Sequence, residues 1–398
     1  MGSLCIYDFW KDGIYSSLYS LIKAVDCEDV LRCYSSFYKM LCENISLKSH
    51  ISGCVLTNDN IFTRLACCDE KISADILTGV KSDLKMLEAI ASISSKDIID
   101  AVTDENIKEL LGKLPQWTCG EPNEILQCDW SGRIEVLIEY HKQNGYGKYA
   151  KHIAFTWRKG ELCPVTSIDP ITLDDLKNYE NQRQRVIDNT ESFVTGHPAN
   201  NVLLYGDRGT GKSSTVHALL NEYHSQGLRM IEIPKSAVRD LSLIREAVAD
   251  SPMKFIIYID DLSFDSNDNS FSELKAALEG SLSGKQSNII IYATSNRRHL
   301  IRESFSDREN DINKNDIMQE QLSLSDRFGL TITFLNPNKA EYLDIVRKIA
   351  ADRGLEVDDE KLCFKADQWA TRRGGRSPRC AKQFIDFVQS CVRRNKEW

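Results

Sequence analysis

The sequence predicts an α/β protein: a parallel sheet covered by helices on both faces, a helical lid after it, and a mainly helical segment before it. Three observations carry this. Short apolar runs alternate with helical periodicity up to about residue 336, the pattern of strands buried on both faces. One of those runs, Val202-Leu203-Leu204, leads straight into Gly-x-x-x-x-Gly-Lys-Ser and then into His217-Ala218-Leu219-Leu220. That is a phosphate-binding loop pattern in its required strand–loop–helix context. Beyond Pro337 the periodicity is helical only.

Residues 1–118 read as a helical N-terminal domain. Leu18, Leu21, Ile22 and Val25 fall at i, i+3, i+4, i+7, and Val80, Leu84, Leu87 and Ala91 repeat the spacing. Ile107, Leu110, Leu111 and Leu114 close a further helix before Pro115. No catalytic constellation shows here; His50 stands isolated and the acidic residues are scattered. Residues 119–168 read as a small β-rich element. Its strands are expected at 134–140 and 152–157, the second turning through Arg158-Lys-Gly160 into 161–165 as a hairpin. Residues 169–336 form the nucleotide-binding α/β domain. After the loop strand, strands are expected at 229–233, 255–259, 289–294 and 330–334, with helices at 242–249 and 271–282 between them. Residues 337–398 form the lid, with helices at 339–351, 360–371 and 377–393.

Composition bounds the partners. A net charge of −8 argues against a surface that coats nucleic acid throughout, though not against a local basic site. The start, MGSLCIYDFWKDG, lacks the basic-then-apolar order of a signal peptide, and no run approaches the roughly 18 apolar residues of a membrane span. The thirteen cysteines include no CxxC pair. Reduced thiols buried as small hydrophobes in a cytoplasmic protein are therefore expected, with no membrane partner.

The chemistry concentrates around the loop. Gly206, Gly209 and Gly211 let the backbone turn its N–H groups toward a phosphate, and the helix starting near Lys212 adds the positive end of its dipole. Lys212 is expected to reach the β- and γ-phosphates and Ser213 to ligate magnesium; Asp207, Arg208, Thr210 and Ser214 complete the loop. Phe255-Ile-Ile-Tyr-Ile-Asp260-Asp261 is a buried strand ending in two carboxylates. Asp260 is the expected second magnesium ligand and Asp261 the group that polarises an attacking water, unless the pair only caps a turn. If the strand at 289–294 lies between the loop strand and the Asp260 strand, Asn296 reaches the γ-phosphate or the water. Arg327 precedes the last strand, where an arginine can stabilise charge on a transferring phosphoryl group. Arg376 and Arg379 open the last lid helix, either folded over the phosphates or as a solvated basic turn.

Taken together, GDRGTGKS, FIIYIDD, YATSN, LSDRFGL and RGGRSPRCAKQF resemble, in order, the Walker A, Walker B, sensor 1, arginine-finger and sensor 2 segments of the AAA+ ATPases. More closely, ITLDDLKNYENQ, PANNVLLYGDRGTGKSS and LSLSDRFGLTITF resemble an uncharacterised bacterial family of AAA+ proteins with a variable N-terminal half. The resemblance covers roughly residues 170–394. It implies a sheet order of 5-1-4-3-2, ATP with Mg2+, and ATP/ADP held between subunits of a homo-oligomer with Arg327 acting on the neighbour. The expected activity is ATP hydrolysis that remodels or loads a protein or nucleic-acid partner, the protein partner taken through residues 1–168. One departure matters: most AAA+ motors carry Glu where this chain has Asp261. The side chain is shorter by one methylene, and errors of about 1 Å can cost on the order of 100-fold in rate. Slow hydrolysis is then expected, or a switch that barely turns over, with Asp265 as a reserve base. The polar insert 306–321 is expected as a surface loop. DNA remains a weaker expectation, resting on Arg372, Arg373, Arg376, Arg379, Lys382, Arg393, Arg394 and Lys396.

Overall fold

The computed structural model describes residues 2–42, 46–68, 70–127, 129–263, 273–275, 278, 287–296, 327–394 and 396–398. The chain divides into two compact units, Met1–Lys151 and His152–Trp398.

In the first unit the helices Gly13–Lys23, Val30–Cys42, Leu47–Leu56, Ile61–Cys67, Ala74–Ala91, Ser95–Ala101 and Glu105–Gly112 follow in order. Their starts are set by local chemistry: Asp12, Ser46, Asn60, Ser73, Ser94 and Asp104 each accept a backbone N–H of the first turn. Leu18, Leu21, Val80, Leu84 and Leu87 lie in one core with Phe37, Trp117 and Trp130. Each such buried side chain contributes about 1.5–3 kcal/mol of apolar transfer. Leu110 departs from the expected stripe and is exposed, leaving Leu111 to anchor its helix.

The strand expected at 134–140 is instead the helix Ile134–Asn144. Its buried residues, Ile134, Leu137 and His141, recur at helical spacing, whereas a strand would have grouped Ile134 with Val136, which is 38% exposed. Packing on the helical core overrode β-propensity. His50 is not isolated either. It lies 2.9 Å from Asp12 and 3.5 Å from the Cys54 sulfur. The hydrogen bond to Asp12, reinforced by Cys54, pushes the imidazole up to about 10.

The second unit is built on seven strands: β1 (Ala154–Arg158), β2 (Glu161–Pro164), β3 (Val202–Gly206), β4 (Leu228–Ile233), β5 (Lys254–Ile259), β6 (Ile289–Ser295) and β7 (Leu330–Phe334). They lie side by side as β2-β1-β4-β5-β6-β3-β7. Counted from β3, the core strands run 5-1-4-3-2 from the β7 edge, as the sequence implied. The hairpin β1–β2, turning at Lys159-Gly160, is part of this sheet: β1 pairs in parallel with β4 and extends its far edge. It is therefore a sheet element rather than a separate joining piece.

Both sheet faces are buried, as parallel pairing demands. Val202, Leu204, Met230, Ile256, Tyr258 and Tyr292 pack with the helices Glu180–Val194 and Lys212–Tyr223, while the alternate residues Leu203, Ile231, Ile257 and Ile291 are buried on the other face. The lid helices Lys339–Asp352, Asp359–Arg372 and Pro378–Arg393 have their own core of Tyr342, Ile345, Val346, Phe384, Ile385 and Val388. The helix expected at 271–282 and the insert at 306–321 lie wholly or largely outside the described residues.

Candidate functional site

The central strand β3 delivers the loop. At Gly206 (φ 134°) a Cβ would collide with the Phe334 carbonyl of β7, so only glycine permits this approach. The next residue is pinned to the same place: the Asp207 N–H donates to Phe334 O at 2.8 Å, and its carboxylate accepts from the Asn336 N–H at 2.7 Å. Gly211, at φ 94°, then turns the chain into the helix Lys212–Tyr223. The Lys212 ammonium donates to the carbonyls of Gly206 (3.0 Å) and Asp207 (2.6 Å) and to Asn296 Oδ1 (3.3 Å). Burial lowers its pKa, opposed by Asp207, Asp260 and Asp261.

Asp260 stands at the exit of β5. Its Oδ1 accepts from Ser213 Oγ (2.7 Å), Tyr258 OH (2.6 Å) and Thr294 Oγ1 (2.5 Å). Burial pushes this carboxyl up, but those hydrogen bonds outweigh it and hold the pKa below the usual value. The same environment pushes the Tyr258 phenol far above its ordinary range, through burial first and the Asp260 charge second. Asp261 takes the left-handed conformation, φ 49°. Its N–H donates to Thr294 Oγ1 at 3.0 Å, and its carboxylate accepts from Asn296 Nδ2 at 2.6 Å. Asn296 thus bridges the lysine and the second carboxylate. It can do so because β6 lies between β3 and β5.

These groups line a cavity of about 940 Å³. One wall is Arg208–Thr215 with Asp260, Asp261, Thr294 and Asn296; the lid adds Ile345, Ile349, Arg379 and Lys382. The lid rests on the loop directly, the Arg379 N–H donating to Gly209 O at 3.1 Å. Arg376 instead pairs with Asp367 at 2.7 Å, within the lid. Arg373 lies over the Trp369 ring, 4.5 Å from its centroid. Two members of the basic set are therefore engaged by lid side chains. Arg327 immediately precedes buried Phe328 and the edge strand β7, and it is not among the residues lining the cavity. Asp265 and residues 323–326 lie outside the described residues.

Two site residues escaped sequence reading. Tyr258 was legible in retrospect, since i and i+2 of a strand share a face and Asp260 follows by two. Thr294 was not: it meets Asp260 only through the β5–β6 register, in which Tyr258 opposes Tyr292.

A family model described as "Protein of unknown function (DUF815)" matches residues 150–391, more than half of the chain. The chain belongs to that family. In this DUF815 protein the matched region begins just before β1, so it takes in the hairpin, the sheet and the lid and leaves nearly all of the first unit outside. A stretch of 82 residues is 35% identical to the replication factor C large subunit of Nanoarchaeum equitans, covering 21% of this chain and 18% of that relative's length. Among solved structures, the Holliday junction branch migration motor RuvB of Thermotoga maritima is similar at 17% identity and a TM-score of 0.41, covering 57% of this chain and 67% of that one. A point-substituted form of the same motor gives the same values. The strand order, glycine-rich loop and helical lid of this DUF815 protein are those that the sequence resemblance implied.

Proposed function

We propose that this chain binds ATP with magnesium and hydrolyses it in a homo-oligomer, using the cycle to remodel or load a macromolecular partner. The observation that carries the reading is the convergence of Lys212, Ser213, Asp260, Asp261 and Asn296 at the mouth of one loop, within a cavity roofed by Arg379. The loop N–H groups and the dipole of the Lys212–Tyr223 helix receive the phosphates, and Lys212 exchanges its contacts with the loop carbonyls for contacts with phosphate oxygens. Ser213 Oγ and an ionised Asp260 oxygen 2.7 Å apart are the hard oxygen donors that suit magnesium. Ser213 and Asp260 would hold that ion beside the phosphates, where it would supply charge neutralisation. Asp261, oriented by Asn296, would take the proton of an attacking water, while Arg379, already held over the loop at Gly209, would contact the phosphates. Arg327, near the β7 edge, would serve the neighbouring subunit's site. Residues 1–168 would take the protein partner, and the exposed basic residues of the lid would be the place for DNA.

A second reading, a nucleotide-dependent switch with little turnover, is favoured by Asp261 itself. Its short side chain is already tied to Asn296 and its backbone is held in the left-handed region. The deciding experiment is calorimetric titration of ATP with and without magnesium, with phosphate release followed in parallel, on wild type and Lys212→Ala. Lys212→Ala should abolish or severely weaken ATP binding. Equal affinity for both proteins would overturn the site. Magnesium-dependent binding without release would select the switch.

A further inference from the structure

The first unit holds a cluster that the nucleotide site does not use. His50 and Cys54 stand one turn apart on the helix Leu47–Leu56, and Asp12, the N-cap of Gly13–Lys23, faces them from another element. His50 Nε2, Asp12 Oδ2 and Cys54 Sγ form a small triangle with sides of 2.9, 3.7 and 3.5 Å. All three groups are only partly buried, so an ion could enter.

Two chemistries could use a thiol, an imidazole and a carboxylate. In a nucleophilic relay the imidazole takes the thiol proton on one nitrogen and is oriented by the acid through the other. Here both partners address the same nitrogen, Nε2, so there is no relay. Three different donors converging on one point is the arrangement of a metal site. With Zn–N and Zn–O of about 2.0–2.2 Å and Zn–S of about 2.3 Å, a tetrahedral site has ligand–ligand edges of roughly 3.3–3.7 Å. Two observed edges already match, and the N···O edge needs to open by about 0.4 Å. The carboxylate is also pre-oriented: Asp12 Oδ1 accepts the Tyr15 N–H at 2.9 Å, which turns Oδ2 toward the histidine.

We propose that Asp12, His50 and Cys54 form a site for one zinc-class divalent cation, with the fourth position open to water or an incoming ligand. The soft thiolate and the imidazole select zinc or cobalt over magnesium, which separates this site from the one at Ser213 and Asp260. Binding displaces the Cys54 thiol proton and any proton on His50 Nε2, and the metal takes the place of the hydrogen-bonded contact between them.

The test uses the full-length chain, reduced, stripped with a chelator and free of nucleotide. Zinc is titrated in competition with a chromophoric chelator, and cobalt(II) serves as the spectral probe. Wild type should bind one more equivalent than Cys54→Ser or His50→Gln. Its cobalt complex should show tetrahedral bands and a sulfur-to-metal charge-transfer band that Cys54→Ser lacks. Asp12→Asn keeps an N-cap residue and should weaken zinc binding by at least the roughly 10–100-fold that even outer-shell changes cost. Helical circular dichroism and the thermal midpoint of each metal-free variant report the fold; if His50→Gln unfolds, Cys54→Ser and Asp12→Asn decide. Equal zinc stoichiometry and affinity in wild type and Cys54→Ser, or superimposable cobalt spectra, would overturn the proposal and leave a hydrogen-bonded ion pair only. ATP binding unchanged in Cys54→Ser is expected whichever way the zinc result falls, so the two sites fail or stand separately.

Discussion

Thr294→Val is the sharpest perturbation of the candidate nucleotide site, because it removes one hydroxyl and little volume. That hydroxyl donates to Asp260 Oδ1 at 2.5 Å and accepts the Asp261 N–H at 3.0 Å, and Thr294 is only 2% exposed. A hydrogen bond to a charged group contributes about 1.5–3 kcal/mol, and a buried N–H left unpaired costs about 1–3 kcal/mol. Asp260 lines the open cavity, and its exposure to solvent there screens the first of these, so a net loss of about 2–3 kcal/mol is expected. Losing a donor also lets the Asp260 pKa rise toward its ordinary value. Because that pKa is depressed in the folded protein, its stabilising contribution is present above the unfolded carboxylate value and is lost as pH falls through the folded one. Thr294→Val should therefore show its weakest magnesium-dependent ATP binding at the acid end of the range, where Asp260 first becomes protonated. Urea unfolding and calorimetry of wild type, Thr294→Val and Thr294→Ser make the comparison. Serine keeps the hydroxyl and should retain most of the stability and binding. A valine variant as stable as wild type, with the same magnesium-dependent affinity, would refute the claim that Thr294 links the two carboxylates.

Asp261→Asn should bind ATP and release phosphate far more slowly, while Asp261→Glu should preserve or raise turnover; normal release by the Asn variant, read by a phosphate-sensor assay, moves the base elsewhere, with Asp265 tested next. Arg327→Ala should bind ATP nearly normally yet lose turnover, by roughly 10³–10⁵ if it acts as an arginine finger. Mixing it with Lys212→Ala should restore part of the activity, since each inactive parent donates what the other lacks; no recovery in a demonstrated co-assembly argues for action within one chain. His141 is fully buried, with Nδ1 bonded to the Gly145 carbonyl at 2.9 Å, and burial pushes its pKa down to about 4. The unfolded chain takes that proton near pH 6.5, so the contribution is intact above about 6.5 and is lost as pH falls toward 4, by at most about 3 kcal/mol. The urea midpoint should fall less between pH 7 and pH 4.5 in His141→Gln than in wild type.

The residues legible in the sequence are those whose function follows from near neighbours in the chain. Gly206 to Ser213, the buried strand ending in Asp260 and Asp261, and the capped lid helices are local patterns. A loop, a strand end or a helix N-terminus needs only a few consecutive residues, and the spacing itself encodes them. Even the placement of Asn296 was conditional on one topological fact, that β6 lies between β3 and β5. Tertiary structure alone decided the rest. It brought Thr294 onto Asp260 across 34 residues and pinned Asp207 to Asn336 across 129. It added β1 to the sheet through β4, and it made Ile134–Asn144 a helix despite its β-branched residues. It also joined Asp12 to His50 and Cys54, 38 and 42 residues away, where the sequence offered only a lone histidine. Periodicity records which face of an element is apolar, but not which other element that face meets. That choice is made by the packing of the whole core, and the contacts that depend on it have no local signature.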